Sequence, residues 1–226
     1  MERTMRRGTE QAVRVAAGRA TLEGNLDIPA GARGVILFAH GSGSSRHSSR
    51  NRFVARALRE AGLATLLLDL LTAEEESVDV FTGHLRFDIG LLADRLTGAT
   101  RWLSRQAETA ELPVGYFGAS TGGGAALVAA AERPDMVSAV VSRGGRPDLA
   151  GAALPRVQAP TLLIVGGHDF PVIDLNRQAF RKLGATEKEL MIVPGATHLF
   201  EEPGALEEVA RLAADWFTRH LGPSEG

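Results

Sequence analysis

The stretch Val114-Gly-Tyr-Phe-Gly-Ala-Ser-Thr-Gly-Gly-Gly124 decides the fold of this chain. A short strand, Val114–Phe117, runs into Gly118-Ala-Ser-Thr-Gly122 and then into a helical segment that ends at Glu132, shortly before Pro134. A G-x-S-x-G pattern between a strand and a helix is typical of a sharp turn that exposes a nucleophilic serine at the end of the strand. The same letters also suit a glycine-rich helix start with a capping serine, so the rest of the chain must distinguish the two interpretations.

The segments on both sides of this stretch repeat the same strand-and-helix unit. Continuous apolar runs predict further strands buried on both faces, at residues 34–39, 64–68, 136–141, 161–165 and 190–193. Helical spacing of apolar residues predicts helices at residues 51–61, 87–105, 174–183 and 205–220. Residues 12–15 and 21–28 alternate as a β-hairpin or two edge strands do, and the acidic stretch between Leu71 and Thr82 is expected to be an exposed loop. This alternation predicts an α/β fold with a mostly parallel, twisted sheet and helices on both faces.

The bulk properties suit one globular domain over residues 1–226. The chain has 25 basic and 27 acidic residues, so its net charge of −2 does not favour binding to nucleic acid or to an acidic membrane. Basic residues near the start (Arg3, Arg6 and Arg7) are not followed by the apolar region of a signal peptide, and we expect no membrane-spanning segment. The chain has no cysteine, which excludes disulfides and a thiolate nucleophile and is consistent with a cytoplasmic protein.

Three residues of catalytic type follow three different predicted strands, in the order Ser120, Asp169, His198. The carboxyl ends of parallel strands meet at one edge of the sheet, where ligands bind in open α/β folds. His198 is expected to take the proton of Ser120, and Asp169 to hold the imidazole in the required tautomer. Asp174 is the alternative acid, although it is better placed to cap a helix.

The loop His40-Gly-Ser-Gly-Ser-Ser45 follows the first parallel strand and is a candidate for the oxyanion hole. The amide of Ser42 is the expected donor there, with Gly43 as the next choice and a substrate contact, and the amide of Thr121 is the other donor. The loop lacks the G-x-x-x-x-G-K-[ST] pattern of a phosphate-binding loop, and the chain lacks G-x-G-x-x-G.

With these motifs the sequence resembles the α/β-hydrolase superfamily and, within it, the dienelactone hydrolase-like group. The resemblance runs from about Gly34 to the C-terminus and rests on His40-Gly-Ser-Gly, Gly118-Ala-Ser-Thr-Gly122, Gly167-His-Asp169 and Gly195-Ala-Thr-His198. It implies the α/β-hydrolase fold and a Ser120, Asp169, His198 triad that needs no cofactor and no metal.

Two features distinguish this chain from better-known members of that superfamily. Dienelactone hydrolases use a cysteine nucleophile, whereas this chain has Ser120, which favours cleavage of ordinary small esters, lactones or thioesters. Only about 20 residues separate the strand ending at Val141 from the one starting at Thr161, which leaves no room for a cap domain. The expected partner is therefore a small acyl substrate that reaches an open site.

For three further parts of the chain, the sequence is compatible with either a functional or a structural role. Arg143 either clamps a carboxylate or phosphate of the substrate or bonds to loop carbonyls as a structural residue. Residues 44–50 either line the mouth of the site or form a surface loop. Trp216 and Phe217 are either core residues or part of a homodimer interface.

Two classes of function compete with the serine hydrolase. The first is a ligand receptor that uses the same scaffold without turnover. The second is an acyltransferase or perhydrolase, which passes the acyl group to a nucleophile other than water.

Overall fold

A sheet of eight strands runs through the part of the chain that the computed structural model describes, residues 10–222. The strands are β1 (Gln11–Ala17), β2 (Ala20–Asp27), β3 (Val35–Ala39), β4 (Ala64–Leu68), β5 (Val114–Ala119), β6 (Ala139–Arg143), β7 (Thr161–Gly166) and β8 (Lys188–Val193). Their spatial order is β1-β2-β4-β3-β5-β6-β7-β8. The hairpin of β1 and β2 is antiparallel, and every pairing from β4 to β8 is parallel. The predicted mostly parallel sheet is confirmed, while the basic residues near the start lie outside the described range.

The central strands are buried along their whole length, which explains their continuous apolar runs. All residues of β3, β4, β5, β6 and β7 are buried, because helices cover both faces of the sheet. In the edge hairpin, by contrast, buried and less buried residues alternate along β2.

The described residues also form six α-helices, of which the last follows β8: α1 (Ser49–Glu60), α2 (Ala73–Thr82), α3 (Ile89–Leu103), α4 (Thr121–Glu132), α5 (Phe170–Lys182) and α6 (Ala205–Leu221). One apolar core lies between the sheet and α3 and α4, and a second lies between the opposite face and α1 and α6. Trp216 and Phe217 of α6 belong to the second core and are buried, so the core interpretation of these two residues is confirmed.

The predicted loop between Leu71 and Thr82 is wrong, because residues 73–82 form helix α2. Thr72 and Glu75 form a capping box, in which the Thr72 hydroxyl accepts from the Glu75 amide and the Glu75 carboxylate accepts from the Thr72 amide. The three glutamates stand in the first turn, where their charges stabilise the helix dipole. A Thr-x-x-Glu pattern was present in the sequence and could have identified this helix start.

Two other boundaries differ from the prediction. Helix α5 begins at Phe170, so Asp174 lies inside the helix and the prediction that it caps the helix is wrong. The β6 strand begins at Ala139, three residues later than predicted.

No cap domain interrupts the fold in the described residues. The connection from β6 to β7 contains only two short 3₁₀ segments within Pro147–Arg156, separated by a kink at Gly151. Within residues 10–222, no helix combines the length and the apolar character that crossing a membrane requires.

Candidate active site

Ser120 stands at the turn between β5 and α4 in a strained backbone conformation, with φ 49° and ψ −121°. Its amide donates to the carbonyl of Arg143 at 3.3 Å, and its carbonyl accepts from the amides of Gly123 and Arg146, both at 3.0 Å. The flanking glycines are sterically required: a Cβ at Gly118 would lie 2.5 Å from Gly123 Cα, and one at Gly122 would collide with the carbonyl oxygen of Ala39. The turn therefore forms only with this glycine pattern, and it sets Ser120 at the carboxyl edge of the sheet.

Asp169 and His198 are joined by a hydrogen bond of 2.6 Å between Asp169 Oδ2 and His198 Nδ1. Asp169 follows β7 at the N-cap position of α5, but its side chain makes no capping bond and is directed to the histidine instead. The loops that carry the two residues are tied together by backbone bonds from Gly167 to Val193 (2.8 Å) and from His168 to Ala196 (2.9 Å). The pair leaves Nε2 of His198 as the nitrogen that can exchange a proton with a substrate or nucleophile.

Asp174, the alternative acid, does not reach the histidine. Its side chain is 72% exposed on α5 and pairs with Arg177 at 3.5 Å. The structure brings Asp169, and not Asp174, to His198.

Ser120 and His198 both lie beside the C-terminal end of β6. Ser120 bonds to Arg143 through its amide, and a Cβ at the next residue, Gly144, would lie 3.6 Å from His198 Cε1. No hydrogen bond links Ser120 Oγ to His198 within residues 10–222. Such contacts are often long without substrate and shorten in the reactive complex.

His40 anchors the loop of residues 40–45, a contact that the sequence did not indicate. Its Nδ1 lies 2.9 Å from the Gly41 carbonyl and its Nε2 accepts from the Leu70 amide at 3.1 Å, which requires the tautomer with hydrogen on Nδ1. Burial lowers the pKa of His40, so the neutral form that these bonds need is favoured. Gly41 packs closely against Ser120, since a Cβ there would lie 3.0 Å from Ser120 Cβ.

The Ser42 amide, expected to face the substrate, donates to Thr121 Oγ1 at 2.9 Å. The Ser42 amide is therefore hydrogen-bonded to a side chain in this structure, whereas it was expected to be free to donate to the oxyanion. The Thr121 amide is the first of α4, so it has no partner within the helix. Gly43 is exposed, with φ 70°, and lines the same small cleft as Ser42 and Thr121.

Arg143 is buried beneath this edge of the sheet, with 5% of its surface exposed. Its Nη2 donates to Asn51 Oδ1 at 3.2 Å, and the guanidinium lies 5.8 Å from the centre of the Phe200 ring. Burial, with a smaller effect of the Arg50 charge, lowers the pKa of Arg143 to about 10. The bond goes to the Asn51 side chain and not to a loop carbonyl, so the anion clamp and the structural role of Arg143 both stay predictions.

Residues 44–50 are held to the body of the protein by ion pairs. Arg46 pairs with Asp69 and, at 2.6 Å, with Glu23, and Arg50 pairs with Glu201 at 3.2 Å. Glu201 follows His198 by three residues, so the second pair connects this segment to the histidine loop. Within the described residues no group of three or more His, Asp or Glu side chains is arranged to hold a metal ion.

Comparison with known proteins agrees with this architecture. The sequence profile of the dienelactone hydrolase family matches residues 22–221. The chain belongs to the dienelactone hydrolase family. The dienelactone hydrolase structure from Anabaena variabilis is 65% identical, with a TM-score of 0.93 over 95% of this chain and 99% of that one. Est1E from Butyrivibrio proteoclasticus shares the fold at 16% identity, with a TM-score of 0.77 over 93% of this chain and 98% of its own.

A longer relative comes from Mycobacterium tuberculosis and is provisionally named a phosphoribosyl transferase. It is 59% identical over 218 residues, which are 95% of this chain but 48% of the relative. The chain thus spans about half the length of the curated relatives that it matches. Family and neighbours together support a hydrolase with the α/β-hydrolase fold.

Proposed function

We propose that this chain hydrolyses small carboxylic esters, lactones or thioesters through an acyl-enzyme on Ser120. The observation that carries the proposal is the 2.6 Å bond between Asp169 and His198 at the sheet edge where Ser120 stands on its strained turn. A nucleophile, a base and a group that orients the base are the three roles that acyl transfer needs.

The reaction follows from the position of each group. Ser120 Oγ attacks the carbonyl carbon, and His198 Nε2 takes the hydroxyl proton as the bond forms. Asp169 accepts the Nδ1 hydrogen, which fixes the tautomer and stabilises the imidazolium that results. The imidazolium then protonates the leaving alcohol or thiol. Water, activated by the same histidine, releases the acid and restores Ser120.

The fold favours substrates that are small or soluble. The β6–β7 connection contains only two short 3₁₀ segments within Pro147–Arg156, so no cap domain covers the site in the described residues. The closely similar Anabaena variabilis protein is named a dienelactone hydrolase, so a dienelactone belongs among the substrates to be tested beside simple esters. We propose no cofactor, because the three side chains supply the nucleophile and both proton transfers.

The test combines covalent labelling with turnover. A fluorophosphonate probe, read by mass spectrometry, is expected to label Ser120 alone, and a short-chain p-nitrophenyl ester is expected to be hydrolysed. Ser120→Ala and His198→Ala should each lower kcat by at least about 10⁴-fold, as in other serine triads. Asp169→Asn should also lower kcat strongly, whereas the matched control Asp174→Asn on the exposed side of α5 should not.

Absence of both adduct and turnover in the folded protein would contradict the proposal and favour the ligand receptor. An adduct with little hydrolysis would favour the acyltransferase or perhydrolase, and partition of the acyl group between water and an added alcohol or peroxide would measure it. Phosphoribosyl transfer is not proposed, because the relative with that name has as much sequence outside the match as inside it.

A further inference from the structure

The hydroxyl of Thr121 has a hydrogen without an acceptor. Thr121 Oγ1 accepts the Ser42 amide at 2.9 Å, and a hydroxyl has one donor besides its two acceptor lone pairs. Among residues 10–222, no protein oxygen or nitrogen accepts from Thr121 Oγ1. The hydrogen is therefore left for a group that enters from the cleft, although Thr121 is only 4% exposed.

Two other buried threonines of this chain, Thr100 and Thr109, donate their hydroxyl hydrogen to a backbone carbonyl, whereas within residues 10–222 Thr97 does not. Thr100 Oγ1 lies 2.9 Å from the carbonyl of Leu96, four residues earlier in α3, and Thr109 Oγ1 lies 2.7 Å from the carbonyl of Leu103. Thr121 cannot make the helical version of this bond. It is the first residue of α4 and directly follows the Ser120 turn, so no helical carbonyl lies four residues before it.

We propose that the Thr121 hydroxyl donates a hydrogen bond to the oxyanion of the reaction, with the Ser42 amide orienting it. The second donor of the oxyanion hole is then a side-chain hydroxyl, beside the Thr121 amide. This inference rests on the proposed function, because it concerns the charge that develops when Ser120 attacks a carbonyl.

The arrangement suits stabilisation of a developing negative charge. The Ser42 amide fixes the rotation of the hydroxyl before substrate arrives, so little reorganisation is needed during the reaction. It also polarises the hydroxyl, because a hydroxyl that accepts a hydrogen bond becomes a better donor. The loop that presents Ser42 is in turn held by His40 through the Gly41 carbonyl and the Leu70 amide.

The competing explanation is that Thr121 only blocks the Ser42 amide, which becomes the true donor when the bond opens. The two explanations predict opposite effects of removing the hydroxyl. In the first, an oxyanion donor is lost. In the second, the Ser42 amide no longer bonds to Thr121 and can donate to the oxyanion without any rearrangement, so activity does not fall.

The experiment compares Thr121→Val and Thr121→Ser with the wild type in hydrolysis of a p-nitrophenyl ester. We expect Thr121→Val to lower kcat by about 10²-fold or more with little change in KM, as loss of one oxyanion donor does elsewhere. Thr121→Ser keeps the hydroxyl and should restore most of the activity. Thr97→Val is the matched control, since Thr97 lies in α3 and its buried hydroxyl has no hydrogen-bond partner among residues 10–222; it should leave kcat unchanged.

A trifluoromethyl ketone inhibitor gives a second measurement, because its adduct with Ser120 carries the oxyanion. Its inhibition constant should rise in Thr121→Val by the same factor as kcat/KM falls. Unchanged or higher activity and unchanged inhibition in Thr121→Val would overturn the inference. If that variant fails to fold, Thr121→Ala gives the same comparison. The proposed function is tested separately: if the wild type hydrolyses the ester and Ser120→Ala does not, the proposed function stands whatever the result for the Thr121 variants.

Discussion

Ser120 illustrates how a single residue carries the strain of this site. Its φ of 49° and ψ of −121° lie outside the regions that residues with a Cβ favour, and its backbone is held by bonds to Arg143, Gly123 and Arg146. The surrounding contacts therefore maintain a conformation that by itself costs about 1–3 kcal/mol.

We predict that Ser120→Gly is more stable than Ser120→Ala by about 1 kcal/mol, because glycine adopts this conformation without strain. Both variants lack the hydroxyl, so the difference reports the backbone alone. Urea denaturation of the two proteins measures it. As a control, Ala57→Gly in α1 makes the same change at an ordinary helical position and should lower stability by about 1 kcal/mol. A Ser120→Gly variant less stable than Ser120→Ala by about 1 kcal/mol, as expected at Ala57, would mean that the turn stores no strain.

At the scale of elements, the packing of α3 on the edge hairpin depends on one glycine. A Cβ at Gly98 would lie 2.7 Å from Ala17 Cα and 2.8 Å from Ala17 Cβ, and neither atom can move without shifting β1. The helix and the strand are thus in contact through their backbones, which the periodicity of α3 did not reveal.

Gly98→Ala is expected to lower the free energy of unfolding by about 1–3 kcal/mol, because the helix must move away from β1. Gly90→Ala lies in the same helix, and its Cβ would meet only Asp88 Oδ1, at an ordinary 3.5 Å. We expect that control to be neutral or to raise stability by less than about 1 kcal/mol, since alanine favours a helix over glycine. Thermal and urea unfolding of both variants would test the contrast, and a stable Gly98→Ala would show that the contact relaxes easily.

At the scale of the whole molecule, two partly buried histidines link stability to pH. Burial lowers the pKa of both His40 and His220 below the ordinary value, while the same groups are free to titrate normally in the unfolded chain. Between their folded pKa values and about 6.5, the unfolded chain binds more protons than the folded protein. The contribution of these two groups to the free energy of unfolding is therefore fully present above about pH 6.5 and is lost as the pH falls below that value.

The free energy of unfolding is expected to decrease from pH 7.5 to pH 5.5, and His40→Gln should make that decrease smaller. The contribution of His40 is at most about 1.4 kcal/mol per pH unit, the limit for one proton. Urea denaturation across this range would measure the slope, with His47→Gln, at an exposed position, as the control. A slope that His40→Gln leaves unchanged would contradict the assignment.

Much of the architecture could be predicted from local pattern. The central strands are apolar at almost every position because both faces are covered, and that property is visible in a single run such as Ala64–Leu68. The Ser120 turn was identifiable because glycines are required on both sides of it. Helix α2 was missed although its capping box, Thr72 with Glu75, was in the sequence, because the glutamate run resembles a solvated surface.

The sequence by itself determined the strand and helix alternation, the order of Ser120, Asp169 and His198, and hence the sheet edge at which they meet. Only the tertiary structure decided which groups pair there: Asp169 rather than Asp174 with His198, 29 residues away, and the Ser42 amide with Thr121, 79 residues away. The physical reason is the distance along the chain between the residues that interact. Secondary structure follows from residues a few positions apart, whereas a hydrogen bond between two loops depends on rotamers and loop paths that become defined only when the whole core has packed.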